Sequence, residues 1–115
     1  KFSGRLFYEH NPQVTLMRTT PEECAGLGRI LAEKVNAYTG PVTMLLPTQA
    51  ISIISAEGQP FHDPEADAAL FAAIKERLDH DVELIEMDVS INSPEFPRAC
   101  AQALLKHLNT ADEPR

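Results

Sequence analysis

Three times in this chain a Pro-Glu pair stands at the head of an amphipathic stretch, in Thr20-Pro21-Glu22, Asp63-Pro64-Glu65 and Ser93-Pro94-Glu95. The residue before each proline can accept from the orphan amides of a first helical turn. The proline suits the first helical position, where a missing N–H costs nothing, and the glutamate complements the positive end of the helix dipole. Each start also follows a short run of β-formers, at residues 14–17, 42–46 and 82–87. This order predicts an α/β fold: a three-layer open parallel sheet built from three β-α units, half of a Rossmann-like arrangement. Right-handed crossovers would bring the three strand-to-helix turns to one sheet edge, the carboxyl edge where such sheets bind ligands.

The units differ in ways that rank them. Residues 42–46 (Val-Thr-Met-Leu-Leu) show almost no alternation, which predicts burial on both faces and a place at the sheet centre. Residues 82–87 carry Glu83 and Glu86 and read as the sheet edge. In the first helix Cys24, Leu27, Leu31, Val35 and Tyr38 recur at helical spacing, with Ile30 widening the stripe, so they form its expected core face. Gly26 and Gly28 each lower helix stability by about 1 kcal/mol relative to alanine, a cost that close approach of a neighbour would justify. The second helix, residues 64–78, is expected to bury Leu70, Ala73, Ile74 and Leu78, with Phe71 at the margin. The third, residues 94–107, should bury Phe96, Cys100, Ala103, Leu104 and Leu108. Residues 47–62 are long for a strand-to-helix connection, and their apolar part, residues 50–54, predicts a short helical turn or strand.

A chain of 115 residues has the length of a single domain. Residues 1–12 read as a lead-in segment and residues 109–115 as a flexible tail. A net charge of −7 argues against a broad nucleic-acid face, although backbone amides could still build a local anion site. No apolar run reaches the ~18 residues of a membrane span and no signal peptide is visible, so a cytoplasmic protein without nucleic-acid or membrane partners is expected. Cys24 and Cys100 fall in different predicted helices at apolar positions and read as reduced, buried hydrophobes. The four histidines are scattered and no metal-ligand spacing occurs, so no metal site is predicted.

The stretch Asn11-Pro12-Gln13-Val14-Thr15-Leu16-Met17-Arg18-Thr19-Thr20-Pro21-Glu22-Glu23 resembles a largely uncharacterised ATP-binding-domain family of bacteria, fungi and plants, which includes the tomato mosaic virus resistance protein. Gly58-Gln59-Pro60-Phe61-His62-Asp63-Pro64-Glu65-Ala66-Asp67 is similar to a later motif of that family, and Asp88 with Ile91-Asn92 fits its last one. The resemblance covers essentially the whole chain. It implies that these residues are the C-terminal subdomain of a larger protein, with an N-terminal α/β portion as first partner, a homo-oligomer, and ATP as a ligand of the full-length protein. No cofactor is implied for these residues alone. One departure bears on this: where the family pattern carries a basic residue and glycine, this chain has Gln49 and Ala50.

The candidate ligand-binding residues follow the three expected turns: Arg18, Thr19 and Thr20; Gln49, Ser52, Gly58, Gln59, His62 and Asp63; Asp88 and Asn92. Thr19 and Thr20 could present a phosphate to backbone donors beside Arg18, or simply cap the helix. Asp63 could orient a polar ligand, or cap. His62 is the best candidate acid or base, because histidine is the side-chain type suited to proton transfer near neutral pH, while Asp88 and Asn92 suit a ribose or another hydroxylated group. Ser52 and Ser55 lack the strand-turn-helix setting of a serine nucleophile, and no catalytic residue is assigned. Three readings remain open: a half-domain completing a nucleotide or small-molecule site, an interaction or oligomerisation module using the apolar loop 50–54, and a metal-independent enzyme using His62 with Asp88.

Overall fold

The computed structural model describes residues 2–109 as four strands, three α-helices and one 3-10 turn. Strands β1 (Phe7–Asn11) and β2 (Val14–Met17) precede α1 (Pro21–Asn36). Strand β3 (Thr43–Pro47) leads through the 3-10 turn Ile53–Ser55 to α2 (Pro64–Arg77), and β4 (Glu83–Met87) leads to α3 (Glu95–Asn109). The fold is α/β. Its β3–β4 pair is parallel and in register from Thr43 opposite Glu83 to Pro47 opposite Met87.

The first strand departs from expectation. Residues 14–17 do not join the parallel pair; they fold back antiparallel on β1, from Phe7 opposite Met17 to Asn11 opposite Val14. The segment read as a lead-in is therefore a strand. Asn11-Pro12-Gln13 makes the reversal, its Asn11 side chain accepting from the Gln13 amide at 2.9 Å. A partner reached through so short a turn closes at far lower entropic cost than one reached through a helix.

Two of the three helix starts form as the sequence dictates. Thr20 Oγ1 accepts from the Glu23 amide at 3.2 Å while Glu23 Oε1 accepts from the Thr20 amide at 2.9 Å, a reciprocal capping box. The Thr20 amide, with Arg5 beside it, holds the Glu23 carboxyl below its ordinary value. Asp63 Oδ1 accepts from the Ala66 amide at 3.1 Å, with Pro64 at the first helical position. The third start fails: α3 begins at Glu95, and the buried Ser93 hydroxyl has no hydrogen-bond partner among the described residues. Thr20→Ala and Asp63→Ala should each lower stability by about 1 kcal/mol in urea titration, whereas Ser93→Ala should be neutral or stabilising.

The core lies where α2 meets one face of the parallel pair. Leu46, Phe71 and Ile74 are buried together, with Met44, Ile51, Leu70 and Leu84 packed around them. Phe71, expected at the margin, is central. Thr43 and Leu45 alternate to the other face, where Thr43 reaches His107 of α3 and both line a groove with Cys100 and Ala103. Thr43 Oγ1 donates to Glu83 Oε1 at 2.9 Å, so its 2.8 Å contact with His107 Nε2 requires the ring to donate. That hydroxyl bond, with Lys106 and His107 nearby, holds the Glu83 carboxyl below its ordinary value.

Helix α1 packs on α2 through a different face from the one its large residues predict. The buried positions are Cys24, Gly28 and Ala32, while Leu27, Ile30, Leu31 and Tyr38 are exposed. The cause is Gly28: a Cβ built there would stand 2.6 Å from the Leu70 carbonyl oxygen and 2.8 Å from the Ala73 Cβ. Helices this close must meet through small residues, which turns the large ones aside. Gly26, in contrast, has only an Arg29 guanidinium nitrogen nearby, at 3.8 Å. On α3, Phe96 is buried and Cys100 is half-buried, but Leu104 and Leu108 are 59% and 61% exposed, against expectation. Both cysteines are free thiols, Cys24 fully buried. Of the expected tail, residues 110–115 lie outside the described residues.

Candidate functional site

Beyond the carboxyl ends of β3 and β4 the two chains stay zipped together. The Thr48 amide donates to the Met87 carbonyl at 2.8 Å, the Gln49 amide to Val89 at 3.1 Å and the Ile91 amide to Ala50 at 2.9 Å, with Ala50 and Ser90 forming a parallel bridge. The connection to α2 then turns back over this edge. Ser55 Oγ bonds the Ser52 amide, hydroxyl and carbonyl, each at 3.1 Å, which knots the 3-10 turn. Gly58 takes φ +83°, a left-handed conformation that a side chain would strain. The Phe61 amide closes the loop on the Ile54 carbonyl at 2.7 Å.

The result is a cleft of about 390 Å³ at the carboxyl edge, lined by Gln49, Ala50, Ala56, Glu57, His62 and Ser90. The His62 ring stands 3.2 Å through Nδ1 from the Ser55 carbonyl. A carbonyl only accepts, so Nδ1 carries a proton, and the tautomer that bears its single proton there has Nε2 as an acceptor. Gln49 adds an amide, Ser90 a hydroxyl and Glu57 a carboxylate. The cleft thus offers hydrogen-bond partners of both kinds and no cationic side chain.

A smaller cleft of about 190 Å³ lies at the first turn, where Arg5, Arg18, Thr19, Thr20 and Asp63 meet. Its polar groups are already engaged. Arg5 bonds the Arg18 carbonyl at 2.8 Å and Glu23 at 2.6 Å, and Thr20 and Asp63 serve as caps. Arg18 is buried: its guanidinium pairs with Asp67 in the first turn of α2, donates through Nε to the Phe61 carbonyl at 3.0 Å, and reaches Thr19 Oγ1 at 3.1 Å. It ties β2 to the start of α2. The sequence pointed to Arg18 but offered no sign of this partner, because Asp67 reads equally well as a dipole-complementing first-turn acid.

Of the residues expected at a site, Gln49 and His62 share the larger cleft, and Arg18, Thr19, Thr20 and Asp63 share the smaller. Ser52 is held in the Ser55 knot. Gly58 and Gln59 are exposed in the turn, and Asp88 and Asn92 are exposed beyond β4, so these four line neither cleft. Thr20, Gly58 and Asn92 therefore do not form one concavity. Glu57 and Ser90 were not singled out from sequence, although Ser90 stands at a strand end opposite Ala50, where parallel register could have found it. The loop 50–54 is not one apolar patch: Ile53 is exposed, while Ile51 packs on the core. Among the described residues no group of three or more His, Cys, Asp and Glu side chains could hold a metal ion, and no helix is long and apolar enough to cross a membrane.

Residues 1–108, and with them both clefts, match the C-terminal domain of the uncharacterised protein family UPF0261. The chain belongs to this family. A UPF0261 protein of Rhizobium meliloti (strain 1021) is 48% identical over 105 residues, which are 90% of this chain and 26% of the relative. A UPF0261 protein of Clostridium tetani (strain Massachusetts / E88) is 41% identical over 106 residues, 91% of this chain and 26% of that protein. The ToMV resistance protein Tm-1(GCR237) of Solanum lycopersicum is 33% identical over 108 residues, 92% of this chain and 14% of its own length. This UPF0261 domain thus spans about a quarter of the length of its bacterial relatives.

Proposed function

We propose that this UPF0261 domain forms one wall of a small-molecule site, completed by an N-terminal subdomain of the same protein. The observation that carries the reading is the carboxyl-edge cleft of Gln49, Glu57, His62 and Ser90. Its volume lies in the range of ligand pockets, and it occupies the edge where open α/β sheets hold their ligands. With Glu57 at its rim and no cation, it suits an uncharged, hydroxylated group, such as the sugar of a nucleoside, better than a phosphate. If the whole protein takes ATP, the triphosphate falls to the remainder, since Arg18 is occupied by Asp67 and Arg5 by Glu23. His62 Nε2 is placed to accept a hydroxyl proton, and the ring makes its bond to Ser55, not Asp88. We assign it a binding role.

Titration calorimetry of the full-length protein against a panel of nucleotides and hydroxylated metabolites tests this. A ligand should emerge whose affinity falls at least about tenfold, or 1.4 kcal/mol, in both Gln49→Ala and His62→Ala, with stability unchanged. A panel hit indifferent to both substitutions would refute the assignment. Residues 1–115 alone should show no saturable ATP isotherm in the low micromolar range. The alternative is an interaction or homo-oligomerisation module without its own ligand, which draws on the exposed side chains Leu27, Leu31, Leu104 and Leu108.

A further inference from the structure

Strand β3 has the composition of a central strand and the position of an edge. Thr43-Met44-Leu45-Leu46-Pro47 carries no charge and has apolar side chains off both faces, Leu70 and Phe71 in the core on one side and Cys100 and Ala103 lining a groove with it on the other. Strands of this kind are flanked on both sides by neighbours. Yet β3 pairs only with β4 among the described residues, and a sheet of two strands is marginal alone, where about four to six is usual. The two outer sides of the pair differ. Strand β4 carries Glu83, bonded to Lys106, and Glu86, bonded to Lys75 at 3.0 Å, the charged dressing that guards a true edge. Strand β3 carries no charge, and its one edge device is Pro47 at its last position, which leaves the open side at Thr43 and Leu45 unguarded.

Beside β3 lies an open groove of about 390 Å³ lined mainly by Tyr38, Val42, Leu45, Cys100, Ala103 and Leu104. It runs between the end of α1 and the face of α3. The hydrogen-bonding groups of β3 divide between its two sides. The Thr48 amide donates to Met87 across the pair, so by strand alternation the amides of the even positions, Met44 and Leu46, also face β4. Those of Thr43 and Leu45 are directed the opposite way, to the open side of β3. Strand β4 can satisfy neither of them.

We propose that this groove is a strand-docking slot, and that its occupant is a strand of the same polypeptide lying outside residues 1–115, added parallel to β3. The relatives supply the length for it, since this domain accounts for 26% of each of the two bacterial proteins. The geometry favours a parallel strand. Helices α2 and α3 pack on opposite faces of the β3–β4 pair, the arrangement that parallel crossovers produce. The exposed Tyr38 and Leu104 stand at the rims of the slot, where a third strand would bring side chains against them. The incoming strand should therefore be apolar on both faces, and it would turn the pair into the three-layer sheet that the sequence predicts. The docking goes beyond the ligand reading and does not depend on it.

Amide hydrogen exchange on the full-length protein, resolved to single residues, decides the matter. The Leu45 amide lies on the open side and should exchange on the order of a hundredfold or more slower than an open edge amide, as ladder amides do, at every protein concentration. Fast exchange at Leu45 beside a protected Leu46 would overturn the proposal. Protection that appears only as concentration rises would also overturn it, because the occupant would then be a second copy. Leu104→Glu, which places a charge at the rim, should accelerate Leu45 exchange while leaving Leu46 protected. An unchanged Leu45 rate in that variant would count against the slot as well, since nothing would then pack across its rim.

Discussion

Arg18→Met should lower stability by about 3–5 kcal/mol, the largest loss expected from any polar substitution in this domain. Arg18 and Asp67 are buried to 6% exposure each, and the guanidinium also holds the Phe61 carbonyl at 3.0 Å. Removing the arginine leaves a buried carboxylate and a buried carbonyl without their donor, and unpaired buried charge is what makes such substitutions severe. Asp67→Leu should be comparably damaging, because it strands the guanidinium. The double variant Arg18→Met with Asp67→Leu should recover much of the loss, since apolar replacement of a whole buried pair is often nearly neutral. Urea titrations of the four proteins supply the cycle. A double variant as unstable as the sum of the two single variants would show that the residues do not act as a pair.

How much of this was legible beforehand depends on the range of the interaction. The Thr20 capping box and the Asp63 cap are local, fixed by residues three positions apart, and both form. The parallel pairing of residues 42–46 with 82–87 was also legible, because an unalternating apolar strand needs cover on both faces. Ser93 shows the limit of the local rule: the same Pro-Glu grammar follows it, but its hydroxyl caps nothing. The departures in the helix faces have another origin. Periodicity places apolar residues on a stripe, yet it cannot say which neighbours are present to cover it. At about 100° per residue, Leu27 and Leu31 lie beside the Cys24–Gly28–Ala32 stripe, not on it, and Tyr38 lies past the end of the helix. The glycine decided which face meets α2. Of the candidate site only the location was legible. Gln49 and His62 reach one cleft because the connection folds back on itself, a path set by the Ser55 knot and the Gly58 turn, whereas Asp88 and Asn92 lie outside it.

The second large effect should come from that glycine. Gly28→Ala gains about 1 kcal/mol of helix propensity, so on an isolated helix it would stabilise. Here the added Cβ would stand 2.6 Å from the Leu70 carbonyl oxygen, 2.8 Å from the Ala73 Cβ and 3.3 Å from the Ile74 amide nitrogen. Two of those three atoms are backbone of α2 and cannot rotate away, so α1 must retreat along its whole length. Overpacking of this kind costs about 1–3 kcal/mol, which outweighs the propensity gain, and Gly28→Val should cost more because its branched side chain enters the same space. Gly26→Ala is the control: nothing but an Arg29 guanidinium nitrogen lies near it, so it should be neutral or stabilising by up to about 1 kcal/mol. Adding Ala73→Gly to Gly28→Ala should restore only part of the loss, because the Leu70 carbonyl remains in place. Thermal melts of the four variants test the account, and a Gly28→Ala protein as stable as Gly26→Ala would show that the helices are not in the close contact that turns Leu27 and Leu31 outward.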